Sequence, residues 1–122
     1  MDPLAFRQAA QEALDALPRH IRVAVRDVVI IIEPRPRGRQ TKSLLLGLYE
    51  GVPLTEWQRD YSGKPPDTIT LFMEPIREVA ESDADIPRIV RETVWHETGH
   101  HFGLGHDAIR KMEARWRRGK GT

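Results

Sequence analysis

The sequence predicts an α+β fold in which a small three-stranded sheet lies between helical segments. Three observations carry this expectation. Apolar residues recur at helical spacing at both ends of the chain, short β-branched runs are confined to its middle, and 122 residues suffice for one core but leave two marginal ones. The expected organisation is one domain over residues 1–122.

Asp2 followed by Pro3 is an N-cap and first-turn pair, and Leu4, Ala9 or Ala10, Ala13, Leu14 and Leu17 then repeat at helical spacing until Pro18. A short helix is expected over Arg19 to Val25. Val28-Val29-Ile30-Ile31-Ile32 is β-branched and closed by Glu33-Pro34, which predicts a buried strand. Leu44 to Tyr49 and Thr68 to Phe72 are the other strands, set apart by Gly51-Val52-Pro53 and the Gly63 to Pro66 loop. From Ser82 the helical period returns. Ser82, Asp83 and Asp85 are cap candidates, Pro87 falls early in the helix, and Ile86, Ile89, Val90 and Val94 form its apolar side. This helix should reach about Phe102 and stop at Gly103. A last helix, started by Asp107 and carrying Ile109, Met112 and Trp116, ends at Arg118-Gly119.

Composition narrows the function classes. Apolar residues at 39% and charged residues at 30% are the balance of a globular protein, too apolar for a disordered one. The longest aliphatic run, Val28 to Ile32, is far short of the roughly 20 residues a membrane helix needs, so no membrane partner is expected. The N-terminus shows no secretory pattern, and there is no cysteine, which removes disulfides, thiolate ligands and a cysteine nucleophile together. The cytoplasm is the expected compartment. A net charge of +1 supplies no global field toward nucleic acid, which is therefore not the expected partner.

Four of the five histidines fall in eleven residues, His96-Glu97-Thr98-Gly99-His100-His101-Phe102-Gly103-Leu104-Gly105-His106, followed by Asp107. The pattern is H-E-x-x-H-x-x-G-x-x-H-D. On a helix, His96 and His100 lie about 40° apart and one turn along, so both imidazoles can reach one ion. Glu97 projects beside them, placed to act as general base on a water rather than as a ligand. Gly103 can take a positive φ, turning the chain so that His106 returns as the third ligand. Three histidines leave a fourth tetrahedral position open, the pattern of a catalytic zinc site. A chance match of five fixed positions in a chain of this composition has a probability on the order of 10⁻⁵ to 10⁻⁴. The stripe Ile89, Thr93, His96 and His100 predicts that the ligands face inward at the edge of the core. His101, about 100° from His100, reads as a packing or surface residue, and His20 has no partner in sequence.

These residues resemble the zincin metallopeptidases, and within them the metzincin form of the motif. More closely, Leu45-Leu46-Gly47-Leu48-Tyr49-Glu50-Gly51-Val52-Pro53-Leu54-Thr55, the strand Thr68 to Phe72 and the His96 to Gly103 segment look like the small bacterial zincin-like family, the minimal metalloproteases. The resemblance covers nearly the whole chain. It implies a minimal zincin-like fold, a small mixed sheet flanked by helices with the motif on a long helix, Zn2+ as cofactor and a peptide or protein substrate. It also implies a cleft lined by a sheet edge, for which both Leu44 to Tyr49 and Thr68 to Phe72 qualify. Members of the small family commonly place an aspartate near the third-ligand position, whereas here His106 and Asp107 stand side by side. Spacing favours His106 and leaves Asp107 as a helix cap or a hydrogen-bond acceptor behind the ligands. Met112, the methionine downstream of the motif, falls within the last helix and reads as core. A closing helix of about 11 residues leaves little chain for a deep side-chain pocket.

The functional expectation is a zinc-dependent metallopeptidase that hydrolyses peptide bonds with a metal-activated water and Glu97 as general base. Tyr49, Tyr61 and His101 are the candidates for stabilising the oxyanion, each reading first as a packing or surface residue. Two other readings compete. One is a catalytically silent metal-binding or peptide-binding module. The other is a metal-dependent endoribonuclease, since a ribosomal-RNA maturation family has three histidines at the same spacing and basic clusters occur at Arg35 to Lys42 and Arg110 to Lys120. The nuclease pattern does not require Glu97, and a charge run is usually a solvated face.

Overall fold

The structure is a computed structural model; it describes residues 2–25, 27–38, 45–51 and 66–120, with the backbone alone at 106, 116, 117, 119 and 120. Among these residues the order is α1 (Pro3–Asp15), α2 (Arg19–Ala24), β1 (Val29–Glu33), β2 (Gly47–Glu50), β3 (Thr68–Phe72), α3 (Met73–Val79), a 3₁₀ turn at Asp83–Asp85, α4 (Ile86–His101) and α5 (His106–Lys120).

The opening helix begins as its sequence dictates, with the Asp2 carboxylate accepting from the Ala5 N–H at 2.9 Å and Pro3 in the first turn. Phe6, Ala10, Ala13 and Leu14 form its buried face. Leu4 was expected on that face but is exposed, because it lies about 160° around the helix from Phe6. Phe6 takes the core position instead.

The sheet order is β1-β3-β2, with β1 parallel and β2 antiparallel to β3. It is a small mixed sheet, as the resemblance implies. Thr68–Phe72 is therefore the central strand, which settles which expected strand is an edge: β2 is. Ile69, Thr70, Leu71 and Phe72 of β3 are all buried, so both faces of the central strand are covered. The expected start of the second strand, Leu44, lies outside the described residues.

Helices α1 and α4 pack on one another, α1 also meets β1, and α4 also meets β2. The indole N–H of Trp95 in α4 donates to the Ala13 carbonyl of α1 at 2.7 Å, which satisfies a buried donor and pins the two helices. Nothing in the sequence pattern anticipated α3. Pro75 resembles a helix breaker there, yet it falls in the first turn, where its missing N–H would have no intrahelical partner, and the helix is anchored by the fully buried Ile76. No helix among the described residues is long and apolar enough to cross a membrane.

Candidate metal centre

Helix α4 carries the motif, and its two sides differ. Ile89, Val90, Thr93, Val94, Trp95, Thr98 and Gly99 are buried, whereas His96, His100 and His101 are exposed. The inward-facing placement expected for the ligands thus holds only as far as Thr93. Its cause lies in β2, whose first residue, Gly47, is pressed on the helix so closely that an added Cβ would sit 2.7 Å from the Thr93 methyl group. The strand covers the stripe at Thr93 and leaves it open one turn later. His96 and His100 emerge there, beside the sheet edge.

The two imidazoles meet as ligands of one ion would. Their Nε2 atoms are 3.1 Å apart and the ring planes stand at 84°. Zinc–nitrogen bonds of about 2.0–2.1 Å at a tetrahedral angle place two ligand nitrogens about 3.3 Å apart, so the pair fits zinc. Among the described residues no cluster of three histidine, aspartate or glutamate side chains forms a metal-holding group, and the side chain of His106 is not among them. Its position on the backbone is informative nonetheless. Residue 106 opens α5, seven residues and two turns before Glu113, which puts both positions on one helix face. Glu113 lines the same cavity as His96.

The turn between α4 and α5 is built as expected. Gly103 has φ +74°, its N–H donates to the His100 carbonyl at 3.1 Å, and the Leu104 N–H donates to Gly99 at 2.7 Å. This is the Schellman arrangement, which closes the open carbonyls of the helix end. Leu104 and Ile109 then pack on Gly99, where an added Cβ would lie 2.9 Å from Ile109 Cδ1. The absent side chain inside the motif is what allows α5 to dock.

Asp107 does not take the capping role expected of it. The helix starts at His106, Gly105 accepts the Ile109 N–H, and the exposed Asp107 carboxylate pairs with Arg110 one turn on.

Glu97 stands beside His96 in the wall of an open cavity of about 420 Å³. Burial pushes its carboxyl pKa up, a shift opposed in part by the charge of His100. A raised pKa makes a carboxylate a better proton acceptor near neutrality. The cavity is bounded on one side by Leu45 and Leu46, which precede β2, and by Gly47, its first residue, and on the helix side by Ile89, Glu92 and Thr93. Helix α5, at 15 residues, is longer than the 11 expected.

The profile of the zincin-like metallopeptidase family matches residues 25–116. The chain belongs to this family. A solved structure of a conserved hypothetical protein from Thermo thermophilus superposes with a TM-score of 0.56 at 23% identity, covering 84% of this chain and 94% of that one, and supports the fold alone. No curated protein matches this chain.

Within this zincin-like domain the remaining candidates divide clearly. Tyr49 is buried and its hydroxyl donates to Asp67 at 2.8 Å, which commits that proton away from an oxyanion role. His101 stacks on Tyr49 with ring centroids 4.2 Å apart and touches the edge of Phe102. It packs, as its angular offset from His100 suggested. Tyr61 lies outside the described residues. Met112 is buried in the core, and His20 is exposed. Sequence reasoning missed Glu92, Glu113 and Gly47, because no local pattern reports which distant elements meet around a cavity.

Proposed function

We propose that this zincin-like protein is a zinc-dependent peptidase, with His96, His100 and His106 as the metal ligands in a metzincin-type arrangement and Glu97 as the general base. The observation that carries the proposal is the 3.1 Å approach of the His96 and His100 Nε2 atoms beside a half-buried Glu97, at a cavity bordered by the edge strand β2. The donor set fits the ion, being imidazole without thiolate. Bound there, zinc supplies Lewis acidity toward a carbonyl and lowers the pKa of water.

The remaining work falls to the chain. Helix α4 holds the two imidazoles one turn apart, and His106, beyond the Gly103 turn, is the proposed third ligand. Glu97 accepts the proton of the attacking water and passes it to the departing amine. The side of β2 away from β3 has no partner strand among the described residues, and Leu45 to Gly47 border the cavity. An extended peptide added along that edge would lie across the cavity with its backbone hydrogen-bonded.

Two observations weigh against the ribonuclease reading. The cavity wall contains the carboxylates of Glu92, Glu97 and Glu113, which repel a phosphate backbone, and Arg35, Arg37 and Arg110 are paired with Glu74, Glu33 and Asp107. Screening the zinc-supplemented protein against unfolded proteins and peptides tests the proposal against a silent binding module. Hydrolysis abolished by chelator and restored by zinc is the expected result. Stoichiometric zinc without any hydrolysis would favour the module.

A further inference from the structure

Strand β2 meets helix α4 at two points, one before and one after the histidine pair. Gly47, its first residue, is pressed on Thr93, and Gly51, which follows its last, is pressed on His101, where an added Cβ would lie 2.8 Å from Cε1 and 3.2 Å from Nε2 of the ring. Tyr49 lies between the two glycines on the same face of the strand and stacks on His101, with ring centroids 4.2 Å apart. Four strand steps span about 13 Å and the eight helix steps from Thr93 to His101 about 12 Å, so strand and helix run together over the length that carries His96 and His100.

We infer that His101 is a positioning residue of the metal centre: its ring, held on Tyr49 and against Gly51, fixes the rotation of the last turn of α4 and with it the place of the His100 imidazole. This rests on the reading of His96 and His100 as zinc ligands. The Tyr49 ring is a fixed platform, because it is buried and its hydroxyl donates to the Asp67 carboxylate at 2.8 Å. Asp67 stands just before the central strand, and its carbonyl accepts the Val29 N–H of β1 at 2.8 Å. His101 therefore rests on a group anchored in the sheet. His100, its neighbour in sequence, lies about 100° away around the helix, so a turn that faces His101 toward β2 faces His100 away from the strand. Gly99 holds the same turn against Ile109 on the α5 side, and His101 is its contact on the sheet side.

The test measures zinc affinity by competition with a chromophoric chelator for the wild type, His101→Ala and His101→Phe, with urea denaturation of the metal-free proteins alongside. Both variants should remain folded, because the side chain is exposed. His101→Ala should bind zinc about three- to ten-fold more weakly, the range one aromatic pair contributes, and His101→Phe, which keeps a ring on Tyr49, should bind within about two-fold of the wild type. The visible absorption of the cobalt-substituted protein should change in His101→Ala and return in His101→Phe. Gly51→Ala should weaken zinc binding in the wild type and add nothing in His101→Ala, since the ring it displaces is then gone. Unchanged zinc affinity in His101→Ala, or an equal loss in His101→Ala and His101→Phe, would overturn the inference. Failure of the underlying reading looks different: zinc binding that survives His96→Ala removes the ligand assignment itself, whatever the His101 variants do.

Discussion

The two sides of α4 are made of the same sixteen residues and answer to different requirements. The side holding Val90, Val94 and Trp95 is sealed against α1 and the sheet, and the side holding His96 and His100 stands open beside the β2 edge. The core thus positions the site without containing it. Substitutions on the sealed side should change stability and leave metal binding alone, and those on the open side should do the reverse.

The largest stability effect is expected from Trp95→Ala, which empties a fully buried site and removes the bond to Ala13. It should cost about 3–5 kcal/mol in urea denaturation, with zinc stoichiometry unchanged while the protein remains folded. Gly99→Ala tests a residue at the junction of α4 and α5. Its Cβ meets Ile109, so about 1–3 kcal/mol should be lost and zinc affinity should fall with the displacement of α5. Ile109→Val in the same protein should recover part of both, and a fall in stability with unaltered zinc affinity would break the link between α5 and the metal.

Tyr49→Phe should cost about 1–3 kcal/mol by leaving the buried Asp67 carboxylate without the phenol donor. Its pH dependence has a definite sign. Burial, reinforced by Asp67, raises the Tyr49 pKa above the ordinary 10.0, so the stability tied to the neutral phenol is complete below pH 10.0 and is lost as pH rises toward the higher folded value. Alkaline denaturation of the wild type should be steeper there than that of the variant. At the small end, His96→Ala should change the stability of the metal-free protein by no more than about 0.5 kcal/mol while removing bound zinc, as metal analysis would show. Glu97→Gln should stabilise the metal-free protein slightly at neutral pH, because the raised pKa means that the buried charge opposes folding. That gain should vanish as the pH falls below the ordinary carboxylate range.

Where residues act locally, the sequence was readable. The strand Thr68–Phe72 and the end of α4 appear where the β-branched run and Gly103 put them, and the membership of His96, Glu97 and His100 in one helical segment followed from spacing alone. Tertiary contact decided the rest. Gly47 looks like an ordinary weak strand residue until Thr93 is seen against it, and Pro75 looks like a breaker until Ile76 is seen in the core. The cavity was invisible because Leu46, Glu92 and Glu113 come from three separated stretches of the chain. The exposure of the histidines was misjudged for a related reason: helical periodicity identifies a stripe but not where its cover ends.

The most direct test of Glu97 as general base compares hydrolysis of an unfolded protein substrate by the wild type and by Glu97→Gln, both carrying one zinc per chain. The variant should be slower by roughly 10²–10⁴-fold, the usual contribution of a general base. Equal rates at equal zinc content would contradict that role.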